Sequence, residues 1–299
     1  MALSSSVGTP HTPGQDPPRT DQDAEIAGLD ALDIPIAPAK GRLAKSWEGL
    51  WPKLAALALF FGGWQAIVWT QWKPSWVLPG PLAVLGEFWT EHRILAHATG
   101  TTMQRAGVGY AISIVIGVVV GLAVARSKFL RAAVGSMITG LQTMPTIAWL
   151  PLAVLLFQLS EQAILFVVVL GAAPAIANGV ISGVDHIPPV LLRAGRVLGA
   201  KGFRSYRDIV LPAAFPGLVA GLKQGWAFCW RSLMAGELIV IIAAKPALGV
   251  GLSYARELSN SELMMAYMLA IFLIGIVIDA FFFAVLERNI RRRWGLGTA

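Results

Sequence analysis

The chain has 299 residues, 56% of them hydrophobic and 14% charged, with a net charge of +7. Soluble domains carry about 25% charged residues, so this composition points to lipid as the main solvent. The cations stand between apolar runs, as in membrane proteins, which argues against a nucleic-acid partner, and the single Cys229 excludes an intramolecular disulfide and any cysteine-cluster metal site.

The N-terminal stretch, 1–45, holds Pro10, Pro13, Pro17, Pro18, Pro35 and Pro38 with acids from Asp16 to Asp33. It lacks the basic start and apolar run of a signal peptide and reads as a disordered cytoplasmic tail. Residues 46–294 read as the membrane domain, and 295–299 as a short C-terminal tail.

Six stretches are long and apolar enough to cross a bilayer, for which about 20 residues suffice: 54–70, 106–125, 132–157, 163–184, 213–244 and 263–286. Pro145 and Pro151 in the third, and Pro174 in the fourth, predict bent helices. The first stretch is short and the fifth long, so the fifth is expected to tilt or to extend beyond the membrane. With the N-terminus inside, sixteen cations fall on the inner side and five (Lys73, Arg93, Arg105, Lys245 and Arg256) on the outer. That asymmetry puts both termini in the cytoplasm.

Small residues recur every fourth position as Ala175, Gly179, Gly183 and as Gly217, Gly221, Gly225. Such ridges let helices approach closely, either within one subunit or at a dimer seam.

The loop between the fourth and fifth stretches, about 185–212, carries the densest signal. Pro189 suits the first turn of a helix. Val190, Leu191, Ala194, Val197 and Leu198 then share one helical face, with Arg193 and Arg196 off it. Gly199 and Gly202 can end the helix, and Phe203, Tyr206 and Ile209 mark a second amphipathic piece. The pattern alone fits a protein-docking helix pair or a helix lying on anionic lipid.

Ala194, Gly199, Ile209, Leu211 and Pro212 stand at the spacing of Glu-Ala-Ala, three residues, Gly, nine residues, Ile, one residue, Leu-Pro. The loop thus resembles the coupling (EAA) loop of binding-protein-dependent ABC importer permeases, with Arg193 in place of Glu and Gly195 in place of the second Ala. Further likeness runs from about Leu78 to Leu296: Leu78-Pro79-Gly80-Pro81; Thr102, Arg105 and Gly109; Pro145, Ala148, Trp149, Leu150 and Pro151; Glu237; and Asp279, Glu287 and Trp294. These resemble the sulfonate, taurine and nitrate branch.

The resemblance implies an all-α membrane protein of six transmembrane helices, a permease core of five plus one preceding helix, in the bacterial inner membrane. It implies a separate ABC ATPase docked on Ala194, Gly199, Phe203, Tyr206, Ile209, Leu211 and Pro212. It also implies a soluble or lipid-anchored binding protein, and a second permease subunit in a homodimer. ATP and Mg would be bound by the ATPase: no Gly-x-x-x-x-Gly-Lys-Ser/Thr loop occurs here, and no cofactor is expected in this chain. His11, His92, His97 and His186 lack a zinc-site context, so no metal and no catalytic residue is expected.

Lys223, Arg231, Glu237 and Asp279 fall inside apolar stretches, where a charge costs a few kcal/mol unless it faces protein or water. Lys223 can snorkel, and Asp279 suits a structural pair. Arg231 and Glu237 lie about 240° apart around a helix. Both are candidates for a translocation path, in which a guanidinium would favour anions; for Arg231 a buried structural pair is equally compatible. An ion-gradient-driven carrier or a non-transporting assembly factor are the competing functions. The first would need intramembrane acids with ion ligands and often inverted repeats.

Overall fold

The computed structural model describes residues 42–242 and 245–293. The tails at 1–41 and 294–299 lie outside them. Two units are distinguished, up to Phe60 and from Phe61 onward. Helix α1 (Arg42–Trp69) starts inside the stretch assigned to the N-terminal tail and carries Pro52. There follow α2 (Pro81–Thr90), α3 (His92–Arg126), α4 (Lys128–Thr143), a 3-10 turn (Thr146–Trp149), α5 (Leu150–Phe157) and α6 (Glu161–Asp185). After the loop helix α7 (Pro189–Val197) come α8 (Leu211–Ile239), α9 (Leu248–Glu257), α10 (Ser261–Ile278) and α11 (Ala284–Arg293). A π-helical turn, Asp279–Phe283, joins the last two. The described residues contain no strand.

By length and hydropathy, α3, α6 and the run 261–290 can each cross a membrane, and the bent pair 128–143 with 146–157 passes the same test when its two helices are taken together. The sequence places one bent helix over 132–157. The structure instead breaks it into two helices 103° apart. The break falls at Met144–Pro145: Pro145 has no N–H to donate, and Met144 before it is extended (φ −79°, ψ 130°). By contrast, α6 continues through Pro174. The second expected span, 106–125, is part of a 35-residue helix that begins at His92, whose added turns bury Leu95, Ala98, Thr102 and Arg105 along one side. The fifth ends at Ile239 rather than 244.

The bundle is built on α6. Its Ile164, Val167, Val168 and Ala172 are fully buried with Ala106, Leu150, Cys229 and Leu233 in one core. Beside this core, glycines let the helices approach closely. A Cβ added to Gly221 would stand 2.6 Å from the Gly179 Cα, and one on Gly183 would stand 2.6 Å from the Ala214 carbonyl. The two small-residue rows read from the sequence therefore face each other inside one subunit. A third row, Gly109, Ser113, Gly117 and Gly121 on α3, packs on the other side of α6: a Cβ on Gly117 would lie 2.7 Å from the Ala173 carbonyl. Sequence reasoning passed over this row, although its four-residue spacing was visible. The Tyr110 hydroxyl donates to the Leu222 carbonyl (2.8 Å), tying α3 to α8.

Candidate functional site: coupling loop, cleft and ion network

Pro189 opens α7 at a position whose N–H would have no partner within the helix, and the Leu191 N–H donates to the Pro188 carbonyl (3.0 Å). The helix ends where Gly199 takes φ +81°. The Leu198 N–H bonds the Ala194 carbonyl (3.0 Å), and the Ala200 N–H bonds the Gly195 carbonyl (2.9 Å), which closes the last turn in the manner of a left-handed C-cap. Gly202 takes φ +55° and starts the helical turn Phe203–Ser205, followed by a π-helical turn, Tyr206–Val210. Pro212 lies in the first turn of α8.

The two halves of the loop are locked by Gly195. It is the buried residue of α7, and the Ile209 side chain occupies the space that a methyl there would need, with Cγ1 3.2 Å from an ideal Cβ. This accounts physically for Gly where the resembling pattern has Ala. The face predicted to be apolar is turned away from the bundle: Val190, Leu191, Val197 and Leu198 are exposed, the last two by 87% and 85%. Ala194 and Leu211 are exposed as well. Tyr206 is more engaged than a free aromatic knob, since the Arg126 guanidinium stands 5.0 Å over its ring. The Phe203 side chain lies outside the described part. Beside the loop, Arg131 holds Asp185 with bonds of 2.7 and 2.8 Å, fixing the start of α4 against the end of α6.

A cleft of about 1050 Å³ runs along α8 and the last helices, lined among others by Lys223, Gln224, Trp226, Trp230, Arg231 and Asp279. Lys223 bridges Asp279 (3.3 Å) and Glu287 (3.8 Å) across it, so its positive charge is fully taken up by these two carboxylates. Arg231 is exposed. Its Nε donates to the Ala227 carbonyl (3.0 Å), and its guanidinium lies 4.7 Å from the Phe228 ring centre. Among the described residues no carboxylate pairs with it, and it is one of the residues that line the cleft.

Glu237, a path candidate alongside Arg231, is fully buried and does not line this cleft. It accepts from Arg105 Nη1 (3.0 Å), Thr102 Oγ1 (3.0 Å) and the Gly249 N–H (3.1 Å). Arg105 also forks onto Glu161 through two 2.8 Å bonds, and Lys245 reaches Glu161 at 3.2 Å. The Leu248 N–H donates to Thr102 (3.0 Å). Four charges thus balance within one network joining α3, α6, α8 and the start of α9. There the carboxylate also meets the unpaired N–H groups of a helix N-terminus. Arg105, counted from sequence as an outer-loop cation, is the buried centre of this network (5% exposed). Its pairing with Glu237 spans 132 residues, and no local pattern could have announced it.

Residues 113–294 match the family described as binding-protein-dependent transport system inner membrane component. A protein of Methanocaldococcus jannaschii named as an ABC transporter permease is 30% identical over 178 residues, 60% of this chain and 66% of that protein. The nitrate import permease NrtB of Synechocystis is 28% identical over 176 residues, 59% of this chain and 62% of that one. The match thus spans just under two thirds of the length of each. Among solved structures, a chain of the inward-facing MetNI methionine ABC transporter superposes with a TM-score of 0.58 at 22% identity, covering 67% of this chain and 98% of that chain. That likeness concerns the fold.

Proposed function

We propose, since this chain belongs to the family of binding-protein-dependent transport system inner membrane components, that it is the permease subunit of an ABC importer for a small anion such as nitrate or a sulfonate. The observation that carries the anion is Arg231: a cation on the cleft wall, without a carboxylate partner among the described residues, beside a Lys223 that is already neutralised. The import of nitrate named for the Synechocystis relative supports the same class.

A homodimer would bring two such cations to one path. The exposed apolar face of α7, with its C-cap set by Gly199, suits the groove of a separate ATPase that binds ATP and Mg. A soluble binding protein would deliver solute from the opposite side. A gradient-driven carrier fits less well, because Glu237 is already saturated by Arg105, Thr102 and Gly249.

Arg231→Gln is expected to leave the assembled complex intact and to slow anion uptake per complex. Arg231→Lys should restore it only in part, since an ammonium lacks the planar fork. Uptake of labelled nitrate and taurine into ATP-loaded proteoliposomes, normalised to complex yield, reads this out. Reduced yield with unchanged uptake per complex would return Arg231 to the scaffold.

The charge asymmetry of the loops further assigns both termini to the cytoplasm. In a Cys229-free chain, an impermeant thiol reagent on intact cells should label Ser259→Cys and leave Ser5→Cys and Thr298→Cys silent. Labelling of either terminus would reverse the assignment.

A further inference from the structure

We propose that α2 and the tryptophan-rich turn before it form an anchor that lies in the plane of the membrane interface, at the end of the bundle opposite the coupling loop, with lipid as its occupant. With 10 residues, α2 is about 15 Å long, half of the roughly 30 Å hydrocarbon core, so it cannot span. One side is committed to the protein: Pro81 and Val84 are buried, and Phe88 packs on the cluster of Leu95, Ala98 and Tyr267.

The other side is apolar and open. Leu82, Leu85 and Trp89, at i, i+3 and i+7, are exposed by 82%, 44% and 78%. Just before the helix, Trp69, Trp72 and Trp76 are exposed by more than 70% each. Lys73 stands among them with its ammonium 5.4 Å from the Trp72 ring centre.

Water is a poor neighbour for such a surface, since each large apolar side chain left in water forgoes its favourable transfer to an apolar surrounding. Soluble surfaces rarely keep contiguous apolar patches of this kind. Indole rings settle at the headgroup level, where the ring meets acyl chain and the N–H meets water. The height agrees. The end of α3 lies beside the coupling loop, where Arg126 meets Tyr206. From there its 35 residues reach back about 52 Å, slightly more than the 40–45 Å or so from headgroup to headgroup. The first turn of α3 and the adjoining α2 therefore sit at the far interface. Ile94, Val108, Val115 and Val119 of α3 are likewise exposed and apolar, as a helix face against lipid would be.

The test uses the full-length chain in bilayers of phosphatidylethanolamine and phosphatidylglycerol, with Cys229→Ala and a nitroxide at Leu82→Cys or at Trp89→Cys. Val115→Cys serves as the deep reference and Ser259→Cys as the aqueous one. Collisions with oxygen and with a water-soluble nickel chelate are measured. Both α2 labels should be oxygen-accessible, should meet the chelate several-fold less than Ser259, and should lie about 5–10 Å into the boundary between headgroup and acyl chain. Chelate access equal to Ser259 would overturn the proposal and assign the face to a soluble partner. Inaccessibility to both reagents would overturn it in favour of a second protein chain. Two labelled positions keep the result independent of a local effect of either substitution.

Discussion

Arg105→Gln is expected to destabilise the chain by about 3–5 kcal/mol, the range found when one partner of a buried ion pair is removed. The reason is the state in which it leaves Glu237. That carboxylate is 0% exposed, and its remaining donors would be Thr102 and the Gly249 N–H, two neutral groups facing a full charge. Total stabilities of domains are about 5–15 kcal/mol, so the loss should appear as a lower unfolding midpoint of the purified chain and a smaller yield. Lys245→Gln provides the contrast. Its ammonium is 55% exposed, and exposed pairs are worth about 0–1 kcal/mol, so the midpoint should hardly move. The double variant Arg105→Gln, Glu237→Gln removes both charges together and should recover part of the loss, giving a coupling of about 0.5–3 kcal/mol in the cycle. An unchanged midpoint for Arg105→Gln would show that the network does not hold the helix ends together.

This network also marks where sequence reading stops. Features with a local period were legible. The small-residue rows on α6 and α8 were readable as a close packing surface, and the structure shows them face to face within one subunit. Pro145 and Pro151 in the 132–157 stretch signalled a bend, although not a break of 103°. The amphipathic face of α7 was readable too, and its outward direction follows from Gly195 taking the inner side. Long-range pairings were not legible. Thr102, Arg105, Glu161 and Glu237 come from three helices far apart in sequence, and charge alone placed Arg105 with the loops. The 240° between Arg231 and Glu237 already implied that they point in different directions. The structure puts Arg231 on the cleft and Glu237 in the core.

The coupling loop gives the second large effect. In Gly199→Leu, uptake is expected to fall to background while the chain still inserts and folds. At φ +81° a residue with a Cβ pays roughly 1–2 kcal/mol, and this is a conformational cost alone, because a Cβ there would meet no atom within 4 Å. The bundle core is untouched, so its unfolding midpoint should stay near the parent's. What changes is the direction of the chain after α7. If the left-handed turn relaxes, the bonds from Leu198 to Ala194 and from Ala200 to Gly195 are lost, and Ile209 no longer seats against Gly195. The second half of the loop, with Tyr206 under Arg126, then loses its fixed position relative to the exposed Val197 and Leu198. A docking surface made from both halves cannot tolerate that. Gly199→Ala carries the same backbone cost with a smaller side chain, so it should be impaired nearly as much. Gly199→Asn should retain more activity, because asparagine enters this region more readily. Copurification of the ATPase and ATP-driven uptake are to be measured for all three. Leu at 199 with parental uptake would separate the loop geometry from coupling, and an order Ala > Asn would show that side-chain bulk, rather than backbone conformation, governs the site.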